Sequence, residues 1–153
     1  MEMPKVTDAH RKLDVLVGSW KGEERISPSP FDPQGGMAEG RVQNRSALDG
    51  FAVVQDYEQA RGGTVTFRGH GIFRFDAMQN NYVMHWFDSM GMPPGEYRGT
   101  FDGGVMLLMS ATQFGQSRAT FDFREKGRYV FKMDVSPDGA SWHPFMEGSY
   151  QKA

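Results

Sequence analysis

Asp88 has the strongest claim to chemistry in this chain, because it follows Trp86 at the end of a segment typical of a β-strand. The alternation of a strand directs both side chains to the same face. A carboxyl group beside an indole in a closed interior loses hydration, which raises its pKa and suits it to acid or base catalysis. Alternatively, Asp88 accepts hydrogen bonds from the backbone of residues 89–91 and shapes that turn. We favour this alternative, and Asp88 stays the one catalytic candidate.

The usual catalytic and metal-binding patterns are missing. The chain has no cysteine, no Gly-x-Ser-x-Gly motif and no phosphate-binding glycine loop. None of the four histidines, His10, His70, His85 and His143, has the i, i+4 spacing of a helical zinc pair. We expect His70 and His85 on the outer face of a sheet, as ordinary surface histidines. The sequence therefore predicts no metal site.

Length and composition indicate one domain, residues 1–153, with enough chain to bury a core. The net charge is −2 and the basic residues are scattered, which argues against a nucleic-acid partner. No apolar run approaches the ~20 residues of a membrane span. The opening Met-Glu-Met-Pro-Lys is too polar for a signal peptide. We therefore expect a soluble, cytoplasmic protein with no membrane partner.

One short amphipathic helix is predicted near the start of the chain. The apolar residues that recur at helical spacing are Val6, Ala9, Leu13, Leu16 and Val17. Thr7 or Asp8 is the expected N-cap, and Gly18 supplies the left-handed conformation that ends a helix. His10 falls on the polar side. This helix needs a partner surface, which the open end of a barrel provides, and Trp20 is then expected to fill the barrel floor beneath it.

About ten strands follow, separated by glycine-rich turns such as Asp49-Gly50, Gly62-Gly63 and Gly103-Gly104. The predicted strands span residues 19–27, 37–48, 51–60, 64–75, 81–88, 96–102, 104–112, 117–125, 128–135 and 141–151. Strands joined in sequence by hairpins form a meander, and a meander this long closes to remove its edges. The predicted fold is all-β: a closed antiparallel up-and-down barrel with the helix plugging one end.

The turns also predict strand registers. Pairing Asp76 with Asn81 sets Gly71 opposite Trp86, and glycine beneath tryptophan suits a tapering interior. A second hairpin pairs Phe101 with Met106. A turn around residues 126–128 is expected to pair three sets of residues: Phe123 with Phe131, Phe121 with Met133, and Asp122 with Lys132.

Two faces of the predicted barrel stand out. The inner set of the second strand is small and polar, which hints at a wall that is not packed solid and hence at a cavity. This set comprises Ala38, Gly40, Val42, Asn44 and Ser46. The outer face is apolar around Val83, Phe87, Leu107 and Met109. Such a surface indicates a covering element or a dimer contact, and we expect a homodimer.

Several segments resemble known proteins. The helix leading into Gly18-Ser19-Trp20 is similar to the opening of calycins, the lipocalin and fatty-acid-binding superfamily. The segments 71–76, 86–90 and 146–150 resemble DUF1579, a bacterial family of lipocalin-like proteins of unknown function. The resemblance covers nearly the whole chain. It implies a barrel with a central cavity and carries no established activity.

Nitrobindins have a similar Gly-x-Trp-x-Gly start, here Gly18 to Gly22, and bind haem through a histidine near the C-terminus. The only comparable position is His143, which Pro144 follows. The surrounding pattern of that group is missing, so we expect no haem and no other cofactor.

The leading hypothesis is a small-molecule-binding barrel that holds an apolar or amphipathic ligand. The predicted pocket residues are Asn44, Gln55, Tyr57, Phe73, Met84, Trp86, Asp88, Tyr97 and Met146. The loop of residues 90–94 is expected to form a lid or rim. The second hypothesis is a barrel isomerase, lyase or hydrolase that uses Asp88 with Tyr97 or Tyr57. The third is a dimeric interaction module with a filled core.

Overall fold

Ten strands joined by short turns close into one antiparallel barrel in the computed structural model, which describes all 153 residues. The strands are β1 (Gly18–Ile26), β2 (Gly36–Ala47), β3 (Ala52–Arg61), β4 (Thr64–Asp76), β5 (Asn81–Asp88), β6 (Gly95–Asp102), β7 (Val105–Thr112), β8 (Gly115–Asp122), β9 (Arg128–Ser136) and β10 (His143–Lys152). Each strand pairs with its neighbours in sequence, and β10 pairs with β1. The predicted up-and-down barrel is confirmed.

The predicted helix is divided into two shorter elements. An α-helix, α1 (Asp8–Arg11), runs directly into a 3-10 helix, Lys12–Leu16. Thr7 is the N-cap, and its backbone N–H donates to His10 Nδ1 at 3.0 Å. A second 3-10 turn, Leu48–Gly50, joins β2 to β3. No helix is long and apolar enough to cross a membrane.

His10 does not lie on a polar, exposed side as expected. Its side chain is buried, with ring centroids 5.0 Å from Phe51 and 5.4 Å from Phe75, both edge-on. Because Thr7 satisfies Nδ1, the imidazole can serve as a flat packing surface between two aromatic rings. His10 therefore helps to fix the helix on the barrel.

The helical segment closes one end of the barrel, as expected. Leu13 and Leu16 are almost fully buried, and so is Trp20 at the start of β1. The indole Nε1 of Trp20 donates to the carbonyl oxygen of Leu16 at 2.9 Å, which joins the helical segment to the barrel wall. Gly18, with φ +137°, makes the change of direction between them. Trp20 thus forms the floor of the barrel.

The predicted registers hold in two hairpins and fail in a third. Gly71 faces Trp86 across β4 and β5, and Phe101 faces Met106 across β6 and β7. Between β8 and β9 the observed pairs are Phe121 with Phe131, Thr120 with Lys132 and Asp122 with Val130. The three predicted pairs of that hairpin were therefore wrong by two residues. A shift of two keeps every side chain on its expected face.

The cause of this shift is the conformation of the turn. Asp122 Oδ1 accepts the backbone N–H of Arg124 at 3.0 Å, and the guanidinium of Arg124 binds both carboxylate oxygens. This local arrangement ends β8 at Asp122 and lengthens the turn to residues 123–127. Asp122 finds its charge partner inside the turn instead of on Lys132, and the Arg124 hydrogen bond lowers the pKa of its carboxyl group.

Candidate functional site

A cavity of about 410 Å³ occupies the barrel between the floor and the opposite end. Its walls come from most of the strands, and two loops, 27–35 and 89–94, contribute Phe31 and Met90 at the far end. Aromatic side chains dominate the lining: Phe31, Tyr57, Phe67, Trp86, Tyr97, Phe121, Tyr129, Phe131, Phe145 and Tyr150. The volume and the apolar walls fall in the range of sites for small organic molecules.

Seven of the nine side chains named from sequence line this cavity. They are Gln55, Tyr57, Met84, Trp86, Asp88, Tyr97 and Met146. Met90 joins them from the loop expected to be a lid or rim, whereas Met92 of the same loop is exposed and outside the lining. They lie at inward-facing positions of β3, β5, β6 and β10.

Asn44 and Phe73 do not line the cavity, in contrast to the prediction. Asn44 Nδ2 donates to the carbonyl oxygen of Leu16 at 2.9 Å, so its amide holds the helical segment in place. Its Oδ1 is buried without a hydrogen-bond partner. Phe73 is buried in the core, edge-on to Phe121 with centroids 5.6 Å apart. Both residues face inward but lie too close to the packed floor to reach the cavity.

Asp88 lies where β5 ends, at the far end of the cavity. Its Oδ2 accepts the indole N–H of Trp86 at 2.9 Å, and its Oδ1 accepts the backbone N–H of Met90 at 3.0 Å. The first bond fixes the indole ring in the cavity wall, and the second starts the loop that follows the strand. Both carboxylate oxygens therefore have structural partners.

Two glycines of β4 that lie against the indole of Trp86 give a test of this wall. A methyl group added at Gly69 would overlap the six-membered ring of Trp86, whereas one added at Gly71 would meet Trp86 Cε3 at 3.4 Å, an ordinary contact. We expect Gly69→Ala to displace the indole from Asp88 and Gly71→Ala to leave it in place. The Trp86 indole N–H resonance in a two-dimensional NMR spectrum measures this: it should move only in Gly69→Ala. Equal movement in both variants would contradict the contact.

Glu24 is a buried acidic residue that sequence reasoning missed. Its side chain is fully buried, and its Oε2 accepts the hydroxyl of Tyr57 at 2.6 Å and the hydroxyl of Tyr150. Its Oε1 accepts the amide Nε2 of Gln59 at 3.0 Å. No Lys or Arg pairs with it. Every bond is donated to the carboxyl group, so both of its oxygens are held by neutral donors.

The tyrosines around Glu24 respond to its charge. Burial raises the pKa of Tyr57 and of Tyr150, and the neighbouring negative charge of Glu24 adds to both shifts. Tyr129, whose ring stacks on Tyr150 at 4.8 Å, also has a raised pKa, from burial first and from Glu24 second. All three phenols therefore stay neutral over the physiological pH range.

Glycines create the space for this cluster. Gly40 of β2 lies beside the Glu24 side chain, and a methyl group there would overlap the carboxylate and lie 2.9 Å from Tyr150 Cε1. At Gly148 of β10, which pairs with Glu24, a methyl group would lie 2.7 Å from the ring of Tyr150. The small residues of β2 were expected to indicate a cavity. At Gly40 they accommodate a buried carboxylate and a tyrosine ring instead.

Two further groups occupy the far end of the cavity. Arg61 and Asp32 both line it, and their guanidinium and carboxylate groups pair at 2.5 Å. Asp32 also accepts the backbone N–H of Gly35 at 3.2 Å, which anchors the 27–35 loop. The charge of Arg61 is therefore balanced by its own partner.

The remaining histidines lie away from the cavity. On the outer face, His70 pairs with Asp56 at 2.8 Å, and His85 Nε2 accepts the Nε–H of Arg74 at 3.0 Å. His143 is exposed at the start of β10 and does not line the cavity. No group of three or more histidine, aspartate or glutamate side chains has a geometry suited to a metal ion.

The closed ten-strand barrel and its helical floor define a lipocalin-like β-barrel fold. More specifically, the chain belongs to the family described as "Protein of unknown function (DUF1579)", which matches residues 5–152. The resemblance found in segments 71–76, 86–90 and 146–150 is thereby confirmed.

Two solved structures share the fold. Rv2717c from M. tuberculosis matches with a TM-score of 0.73 and 12% identity, covering 97% of this chain and 99% of that chain. The S-type phycobiliprotein lyase CPES from Guillardia theta matches with a TM-score of 0.64 and 9% identity, covering 98% of both chains. Identities this low show a common fold and nothing about activity. No curated protein matches the chain.

Proposed function

We propose that this protein binds an apolar or amphipathic small molecule inside the barrel. The observation that carries the proposal is the aromatic cavity of about 410 Å³. A barrel of this kind either packs its interior with side chains or holds a ligand. Here the floor is filled by Leu13, Leu16 and Trp20, whereas the space above them is open. The proposal involves no metal and no cofactor.

The polar groups support binding more directly than catalysis. The two oxygens of Asp88 are engaged by Trp86 and Met90, and Glu24 lies behind the tyrosines that line the wall. Neither carboxylate is placed to accept a proton from a ligand without first losing a structural bond. The arrangement is that of an apolar site with a small number of orienting polar groups.

A fluorescent probe tests this function. N-phenyl-1-naphthylamine, which gains fluorescence in apolar surroundings, should bind the natural protein. Met133→Trp, which adds an indole inside the cavity, should weaken probe binding by about 10-fold or more, because the probe loses volume and meets an overpacked wall. The matched control is Met78→Trp, since Met78 lies exposed in the turn between β4 and β5. Equal binding by both variants would place the probe outside the barrel.

Self-association in the cytoplasm is the second part of the proposal. Phe87, Leu107 and Met109 expose apolar side chains on the outer face of β5 and β7. Val83, expected among them, is buried between Arg74 and Arg98 on neighbouring strands and offers no surface. Native mass spectrometry of freshly purified protein reports both parts, because the mass gives the number of subunits and reveals any co-purified ligand. A monomer would exclude the homodimer.

A further inference from the structure

Two polar side chains in the cavity wall have no hydrogen-bond partner in the protein. Gln55 is 6% exposed and Tyr129 is 3% exposed, and both line the cavity. Neither the amide of Gln55 nor the hydroxyl of Tyr129 bonds to another protein group, and neither is sealed away from the cavity space. Buried polar groups are almost always satisfied. These two therefore have hydrogen-bonding capacity that a molecule in the cavity can use.

Both groups lie at the floor end of the cavity, on opposite walls. Gln55 is on β3, where it faces Asn44 of β2 and Gly71 of β4. Tyr129 is on β9, edge-on to the floor residue Trp20 with ring centroids 4.9 Å apart. A ligand that fills the cavity thus brings its inner end between an amide and a phenol, each of which can donate or accept.

The charges around the cavity restrict what that inner end can be. Among the lining residues Arg61 is the only basic one, and Asp32 pairs with it; Asp88 is acidic. Glu24 lies directly behind Tyr57 and Tyr150 with no cation beside it. A carboxylate bound beside Tyr129 would find no free positive partner, and Glu24 lies behind the neighbouring Tyr57 and Tyr150 of the wall.

We propose that the ligand is a neutral molecule whose carbonyl or hydroxyl group binds Gln55 and Tyr129, and that Glu24 makes the cavity reject carboxylate-bearing ligands. This inference rests on the proposed binding function and narrows its ligand class. The aromatic walls favour a ring system as the apolar part of such a molecule. The inner polar group is then the only part that needs hydrogen bonds.

Three naphthalene derivatives of nearly equal size separate the possibilities: 2-acetylnaphthalene, 2-ethylnaphthalene and 2-naphthoate. Their affinities are measured by displacement of N-phenyl-1-naphthylamine. We expect 2-acetylnaphthalene to bind about 10-fold more tightly than 2-ethylnaphthalene, because only the ketone satisfies the free donors. We expect the affinity for 2-acetylnaphthalene to exceed the affinity for 2-naphthoate by about 10-fold or more. The carboxylate of 2-naphthoate finds no free cation in the cavity and is repelled by Glu24.

Variants assign these preferences to their residues. Gln55→Leu should bring the ratio between ketone and ethyl compound close to one. Glu24→Gln should strengthen binding of 2-naphthoate by about 10-fold relative to 2-ethylnaphthalene, since it removes the charge at nearly constant size. Glu23→Gln is the control, because Glu23 is the exposed neighbour on β1. If Glu24→Gln does not fold, the order of the three ligands on the natural protein still decides the proposal.

The outcomes separate this inference from the proposed function. Equal binding of all three compounds, or tightest binding of 2-naphthoate, overturns the inference and leaves a general apolar carrier. An unchanged ratio in Gln55→Leu overturns it as well, since the ketone is then held elsewhere. Failure of all three compounds to displace the bound probe also overturns it. Failure of the probe itself to bind overturns both the inference and the proposed function.

Discussion

Replacing Glu24 with leucine is expected to lower the free energy of unfolding by about 2–5 kcal/mol, one of the two largest effects in this protein. The carboxylate accepts three hydrogen bonds in the barrel interior, from Tyr57 at 2.6 Å, from Gln59 at 3.0 Å and from Tyr150. Leucine accepts none. The buried hydroxyls of Tyr57 and Tyr150 then lose their acceptor, whereas the half-buried Gln59 still donates to the Tyr57 hydroxyl oxygen at 3.0 Å. Each unsatisfied hydroxyl costs more than its hydrogen bond contributed in the native state.

The opposing consideration is that Glu24 is itself a buried charge without a cation. Removing such a charge recovers a desolvation cost, so a variant that keeps the acceptor and loses the charge should be destabilised less. Glu24→Gln is that variant, because its amide keeps one acceptor oxygen and the same volume. Its remaining amide group must find an acceptor among the phenols of Tyr57 and Tyr150. We therefore expect the free energy of unfolding of Glu24→Gln to lie between that of the natural protein and that of Glu24→Leu.

Urea unfolding followed by circular dichroism measures these differences. Glu23→Leu supplies the control, because it makes the same chemical change at the next residue, on the exposed face of β1. Its effect should stay within about 0.5 kcal/mol, as for most surface substitutions. If Glu24→Leu and Glu23→Leu unfold at the same urea concentration, the carboxylate cluster does not stabilise the barrel.

Much of the fold was accessible from sequence because two independent signals agree. Turns such as Gly103-Gly104, where φ is +58° and +80°, require glycine and so mark the strand ends directly. Alternation of side chains then assigns each residue to a face. Where a turn is short, as between Asp102 and Val105, the register follows without ambiguity.

The failures occur where a local side-chain interaction decides the geometry. The turn after β8 is lengthened by Arg124 binding Asp122, and no periodicity reports on that choice. A shift of two residues changes the cross-strand partners but not the faces, so alternation could not reveal the error. A strand register predicted from a longer turn is therefore less reliable than the assignment of each residue to the inner or outer face.

Glu24 was missed for a different reason. Charged residues on a strand are normally assigned to the solvent face, yet Trp20, Glu24 and Ile26 share one parity on β1 and all three are buried. The signal was present in the alternation, with exposed Lys21 and Arg25 on the opposite parity. Assigning the residues of β1 to faces by their alternation, and not by their charge, would have placed the Glu24 carboxylate inside the barrel.

The two ends of the barrel have different roles: the floor stabilises the fold, and the far end surrounds the cavity. At the floor, Trp20 and Asn44 both donate to the carbonyl oxygen of Leu16 at 2.9 Å, so one backbone group ties the helical segment to two strands. At the other end, Asp88 and Asp32 fix the loops that surround the cavity. Substitutions of Trp20 and Asn44 should therefore act on unfolding, whereas substitutions in the two far-end loops should act first on the ligand.

Trp20→Ala is expected to have the second large effect, a loss of about 3–5 kcal/mol in the free energy of unfolding. The indole is 3% exposed and packs edge-on against Tyr129 and Phe123, with ring centroids 4.9 and 6.3 Å away. Alanine leaves a void at the floor that the closed strands cannot collapse to fill. The helical segment also loses one of the two bonds to Leu16.

Two comparisons isolate the contributions of Trp20. Trp20→Phe keeps most of the aromatic volume but not the N–H donor, so its loss should be smaller, about 1–2 kcal/mol. Trp142→Ala removes the same type of side chain at the opposite end of the barrel. Trp142 is half-buried there, with the guanidinium of Arg118 4.3 Å from its ring. Its removal should cost less stability than Trp20→Ala or Trp20→Phe. Urea unfolding gives the free energies.

Amide hydrogen exchange should show faster opening of residues 8–16 in Trp20→Ala, because that segment depends on the indole for its attachment. A loss no greater than that of Trp142→Ala would mean that the helical segment, and not Trp20, closes the floor.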